Sequence, residues 1–140
     1  MKNLVQMKFL PANTDLGLLV LRLAAIMPLF LRHGIEKLFT FSAMAAHFPD
    51  PIGIGPVPSL IFAMVGDSIC TILMVVGLAA RWAALISAVN LLVAWIFVHH
   101  FVFLLKGPDP SEVIVLYLAV TLTLLIAGPG KYSVDGLMNR

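Results

Sequence analysis

Charge is scarce in this chain. Asp, Glu, Lys and Arg together make up 11% of its 140 residues, less than half of the share of about a quarter found in soluble domains. So little charge cannot coat a globular surface. The net charge of +2 is small and scattered, with no basic run, and no aromatic-plus-basic sheet pattern accompanies it, so a nucleic-acid partner is not expected. The single cysteine, Cys70, excludes an internal disulfide and a Cys-x-x-Cys redox pair; disulfide-generating chemistry would need a partner protein. The chain also lacks His-x-x-x-His spacing, a haem motif, a cysteine cluster and a dinucleotide fingerprint, and no metal site is expected. No internal repeat or low-complexity segment is visible.

What the chain has is apolar length. Hydrophobic residues make up 61% of it, and the mean hydropathy is +1.03. At roughly 20 apolar residues per crossing, the pattern predicts an all-α, four-transmembrane-helix bundle forming one membrane domain, 1–140, with the lipid bilayer as its outer partner. The spans fall at about 16–38, 57–80, 82–105 and 111–127. Runs of this length exclude the short alternating strands of a β-barrel. Asn13-Thr14-Asp15 offers caps for the first helix, and Pro28 inside it predicts a kink. A cleaved signal peptide is the alternative for this segment. Its apolar run is long, contains Arg22, and ends in Arg32-His33 where a cleavage site would need small residues, so the first span is expected to be retained. In the connection 40–57, Phe41 to Phe48 has the makings of a short interfacial helix. Pro49, Pro51, Gly53, Gly55, Pro56 and Pro58 then forbid regular structure. A loop of this length is read as a lid or a spacer.

Lys2, Lys8, Arg81, Lys131 and Arg140 fall on one side of such a bundle, and Lys37, Lys106 and Arg32 on the other. By the positive-inside rule both termini are expected in the cytoplasm.

Asp67 is the most informative residue, because it lies near the middle of the second span. A carboxylate at that depth needs a partner, a proton or water. Helix geometry of about 100° and 1.5 Å per residue puts Asp15, Arg22, His33 and Glu36 on one stripe of the first span. Counted from the span ends, Arg22, Asn90 and Thr123 form an inner layer about 10 to 12 Å deep. Asp67 falls at about 20 Å, and His33, Glu36, Lys37, His99 and Glu112 at about 25 to 30 Å. The inner layer reads as a hydrogen-bonded knot around Arg22, the outer one as a titratable cluster with Asp67 as its floor. Asp67 and His33 are the candidates for proton handling, and Arg22, Glu36, Lys37, Asn90 and His99 for lining a ligand pocket. The bland readings are a structural or snorkelling Arg22, an interfacial anchor for Lys37 and for Lys106, and a packing role for Cys70. His99 and His100 point about 100° apart, so at most one faces His33.

These features in order resemble the DoxX family of small four-helix inner-membrane proteins. The resemblance rests on Leu21-Arg22-Leu23, on His33-Gly34-x-x-Lys37, and on an acid ahead of Gly77-Leu78-x-x-Arg81. It continues with a late histidine in the third span and with Gly128-Pro129-Gly130-x-x-Ser133-x-Asp135. The family's acid is commonly glutamate, where this chain has Asp67. The resemblance implies a multi-pass protein of the bacterial inner (plasma) membrane and a link to redox physiology. Family members include a quinone-reducing thiosulfate oxidoreductase subunit and part of a membrane assembly that copes with oxidative stress. Two functions follow. In one, the polar pocket binds a quinone or similar amphiphile and handles its protons, as an accessory or membrane subunit beside a partner oxidoreductase that supplies electrons. In the other, the chain is a non-enzymatic scaffold or small-solute carrier, in which a homo-oligomer builds any pore.

Overall fold

The computed structural model describes Met7 and residues 11–100 and 111–139. All its regular elements are helical. We number them α1 (Thr14–Phe39), α2 (Phe41–Met44), α3 (Pro56–Val76), α4 (Ala80–Val98), α5 (Ser111–Ala127) and α6 (Val134–Met138). Helices α1, α3 and α4 are long and apolar enough to cross a membrane, and α5 is a shorter apolar helix of 17 residues. The expected Lys106 anchor and the end of the third span, to 105, lie outside the described residues.

The helices run up and down. α3 packs against both α1 and α4, α4 packs against α5, and α5 meets α1 chiefly over Arg22–Ile26. Ile26, Met74, Ala84 and Leu124 meet in the sealed core, while Val20, Leu31, Leu116 and Ile126 point outward. Outward leucine and isoleucine belong in lipid.

α1 begins at Asn13, whose side chain accepts from the Leu16 N–H at 3.0 Å. It passes Pro28 without ending. Pro28 has no N–H to give the turn before it, and the chain takes π geometry over Arg22–Ile26 and again over Phe30–Gly34. Two further π turns fall at Val65–Ile69 in α3 and Ala94–Val98 in α4. Each widened turn shifts the helix face that follows it.

α3 stops at Val76 because Gly77 turns left-handed, with φ 78°. Its N–H and that of Leu78 both return to the Leu73 carbonyl, at 2.8 and 2.9 Å, a glycine helix stop. This early stop corrects the depth count. Asp67 lies about 14 Å above the end of α3, and Asn90 about 15 Å above the start of α4. The two are level, so Asn90 belongs with Asp67 and not in a layer with Arg22. Thr123 does not join Arg22 either: it is exposed and donates to its own helix at Ala119, 2.8 Å.

At the turn end, the tail after α5 folds back under the bundle. Arg22, 1% exposed, donates to the Val75 carbonyl at 2.9 Å and the Tyr132 carbonyl at 2.5 Å. A cation at the C-terminus of α3 meets that helix's unpaired carbonyls. Asp135, at the start of α6, accepts from the Ala79 and Ala80 N–H groups at 2.8 and 2.9 Å, and so caps α4 from a distant part of the chain. Asp15 accepts from the Lys131 N–H at 2.9 Å. A Cβ on Gly77 would strike Ser133 and the Arg22 guanidinium, so the left-handed turn also needs glycine for space.

Candidate functional site

Two glycines bring three helices close enough for polar side chains to meet. A Cβ on Gly34 of α1 would collide with the Asp67 carbonyl of α3, and one on Gly66 of α3 would come within 2.8 Å of the Asn90 side chain of α4. Small residues at such crossings let helix backbones approach inside a bilayer. Ser68 Oγ donates across the first crossing to the Gly34 carbonyl at 2.9 Å, and Thr71 donates back to the Asp67 carbonyl at 2.7 Å.

Asp67, 7% exposed, is held from two sides. Lys37 Nζ of α1 reaches its Oδ2 at 2.8 Å, and Asn90 Nδ2 of α4 donates to its Oδ1 at 2.8 Å. Lys37 Nζ also approaches the His33 carbonyl at 3.4 Å. Each carboxylate oxygen thus has a donor, and the pair carries no net charge. An acid–base pair in which each member has a further polar contact is the form in which a buried charge is tolerated.

This cluster is the floor of a cavity of about 240 Å³. Lys37, Asp67, Asn90, His33 and His99 supply polar groups, and most of the remaining wall is apolar. Phe48, Pro49, Pro51, Ile52 and Ile54 form the roof. Asp50 folds that loop onto the start of α3 by accepting from Ile54 N–H at 3.0 Å, Gly55 N–H at 2.9 Å and Ser59 Oγ at 3.0 Å. Burial raises the Asp50 pKa, but these donors outweigh it and hold the carboxyl below its ordinary value.

Of the seven residues singled out in the sequence, the cavity gathers five: Asp67, His33, Lys37, Asn90 and His99. Two stand elsewhere. Arg22 belongs to the knot at the turn end. Glu36 is exposed and faces an open groove between α1 and α5; the two π turns of α1 rotate it off the Arg22 stripe and bring Lys37 inward in its place. The interfacial-anchor reading of Lys37 fails on its burial and its pairing with Asp67. Of the adjacent histidines, His99 lines the cavity and His100 is exposed. The roof residues and Tyr117 of α5 escaped sequence reasoning. The proline-dense stretch around Asp50 reads as a lid or a spacer, and Tyr117 is one of two tyrosines in the chain. Among the described residues, no group of three or more His, Cys, Asp and Glu gathers as for a metal ion. The donors that converge suit a neutral polar ligand: Lys37 keeps an N–H beyond its two contacts, and an imidazole can both donate and accept.

Comparison with curated proteins returns no match, and none is found among solved structures. The family model DoxX matches residues 17–100, more than half of the chain and the whole stretch that carries Arg22, His33, Lys37, Asp67, Asn90 and His99. The tail motif with Ser133 and Asp135 lies beyond the match. On that match and on the apolar helical bundle, the chain is a membrane protein of the DoxX family.

Proposed function

We propose that the cavity binds the ring of a quinone, or of a similar carbonyl-bearing amphiphile, and that the side chains around Asp67 position it and exchange its protons. One observation carries this reading: a neutral Lys37–Asp67–Asn90 cluster forms the polar floor of an otherwise largely apolar cavity. An anion would face the Asp67 carboxylate, and a hydrocarbon would leave the polar floor without partners. A neutral ring with carbonyl oxygens satisfies both halves, accepting from Lys37 while its faces lie on the apolar wall. His33 and His99 are the groups suited to proton exchange, and Asp67, with both oxygens engaged, holds Lys37 in place. A bound quinone would supply two-electron, two-proton chemistry, with its electrons coming from a partner oxidoreductase subunit.

In this reading the protein sits in the bacterial inner membrane with both termini in the cytoplasm. Lys37, turned into the bundle, no longer counts as a loop charge. Five basic residues on the terminal side then face Arg32 and Lys106. The cavity roof lies on the opposite, extracytoplasmic side.

The test is equilibrium binding of ubiquinone or menaquinone to the purified protein in nanodiscs. Saturable binding is expected, weakened about tenfold or more by Asp67→Asn and by His33→Ala. Binding that is absent, or unaltered by both substitutions, overturns the reading. Co-purification of a reductase without quinone binding favours a scaffold.

A further inference from the structure

A cavity of about 240 Å³ falls below the range of about 300 to 1,000 Å³ typical for drug-sized ligands. It has room for a quinone ring but not for a long hydrocarbon tail. The tail of any membrane amphiphile bound here must therefore leave the cavity.

The side wall between α1 and α5 has the features of an exit. Over Arg22–Ile26 the two helices pack together. Farther toward the roof they leave an open groove lined by Pro28, Leu31, Arg32, His33 and Glu36 of α1 and by Tyr117 of α5. His33 and Tyr117 line the cavity as well. Both are half-buried, and as shared lining they stand between the site and the groove. From Glu36 to Pro28 the groove descends about 12 Å toward the bilayer middle. Its polar end, Arg32 and Glu36, lies nearest the roof, and its apolar end, Leu31 and Pro28, points to the hydrocarbon. That gradient fits a tail leaving for the lipid interior.

We propose that the ligand passes between bilayer and cavity sideways, through the seam between α1 and α5, and that its tail lies in the groove with Tyr117 as the gate. The inference rests on the amphiphile reading above. It makes Tyr117 a positioning residue for passage, and it leaves the roof closed while ligands exchange.

The probes are decylubiquinone, which has a tail, and 2,3-dimethoxy-5-methylbenzoquinone, which does not. Association is followed by stopped-flow quenching of tryptophan fluorescence in nanodiscs. A bulky maleimide is placed on Leu31→Cys in the groove or on His47→Cys, exposed beside the roof and outside the cavity lining; Cys70, 2% exposed, stays unlabelled. The Leu31 label is expected to slow decylubiquinone association about tenfold, and the His47 label to change it less than about twofold. The affinity of the tail-less benzoquinone should stay within about twofold for the Leu31 label. Tyr117→Ala should speed association and dissociation together, with Tyr117→Phe close to wild type. If the His47 label slows association and the Leu31 label does not, the ligand passes under the roof and the side portal is wrong. If the unlabelled protein shows no saturable binding of either quinone, the amphiphile reading falls, and the portal with it.

Discussion

Two buried polar clusters of the bundle, both among the described residues, differ in what their charges touch. At the turn end, Arg22 gives its guanidinium to backbone carbonyls of Val75 and Tyr132, and Asp135 receives backbone N–H groups of Ala79 and Ala80. In the loop-side half, Lys37, Asp67 and Asn90 bond mainly to one another, beside a cavity. The first cluster completes helix ends, which must be satisfied wherever lipid excludes water. The second satisfies no helix end. Side-chain pairs of that kind are often neutral or costly for stability relative to apolar packing, which is why the proposed reading gives this one to a ligand. On the proposed reading, depth in the membrane does not separate structural from functional charges; the nature of the partner does.

Paired substitutions test that distinction most directly. Asp67→Leu should destabilise the fold by about 3 to 5 kcal/mol, because Lys37 is left buried without its counter-charge. Adding Lys37→Met should recover most of the loss while ligand binding stays abolished. Thermal unfolding in detergent beside quinone titration gives both readouts. A double variant as unstable as the single one would move the pair into the structural class.

Next in size is Arg22→Leu. It deletes two charge-assisted hydrogen bonds and strands two part-buried carbonyls, at a cost of about 3 kcal/mol. No second side-chain substitution can relieve this, because the stranded partners are backbone. The fraction that stays folded should bind quinone as wild type does. Weakened binding with unchanged unfolding temperature would break the division between the clusters.

Asp135→Ala removes the cap that α4 receives from the tail, at about 1 to 2 kcal/mol. The same unfolding assay reads it, and the affinity of the cavity should not move. An effect as large as that of Arg22→Leu would mean that the tail holds the bundle by more than this cap.

Much of this architecture was legible in the residues. Apolar runs announce membrane helices, and an acid in mid-span must turn inward. The vertical register was not legible, because it depends on where α3 stops. Gly77 permits the left-handed turn, but nothing local distinguishes a helix ending at Val76 from one running to Ala80. That short stretch moved Asn90 from the company of Arg22 to that of Asp67. The π turns were equally hidden, since their widening answers Pro28 and the packing of neighbouring helices rather than a local motif. Straight-helix arithmetic therefore placed Glu36 inward, where Lys37 stands. A residue that acts through tertiary contact, such as Tyr117, carries no spacing signature at all.

The smallest expected effect concerns the roof, which neither cluster builds. Asp50 ties Ile54, Gly55 and Ser59 together, and its folded pKa lies below the ordinary value of 3.8. The folded carboxyl therefore binds its proton less readily than the unfolded one. Its contribution is fully present above that ordinary value and is lost as the pH falls through the lower, folded value. The loop at 50–55 should keep its amide protection from neutral pH down to about 4 and lose it only below that. Asp50→Asn should remove this acid-dependent loosening, because the amide has no proton to gain, and should lower protection modestly at neutral pH by replacing one acceptor oxygen with a donor. Hydrogen exchange resolved over this loop checks both outcomes. Loosening already at pH 6 would take control of the roof away from Asp50 and remove the independence of roof and floor on which a side portal depends.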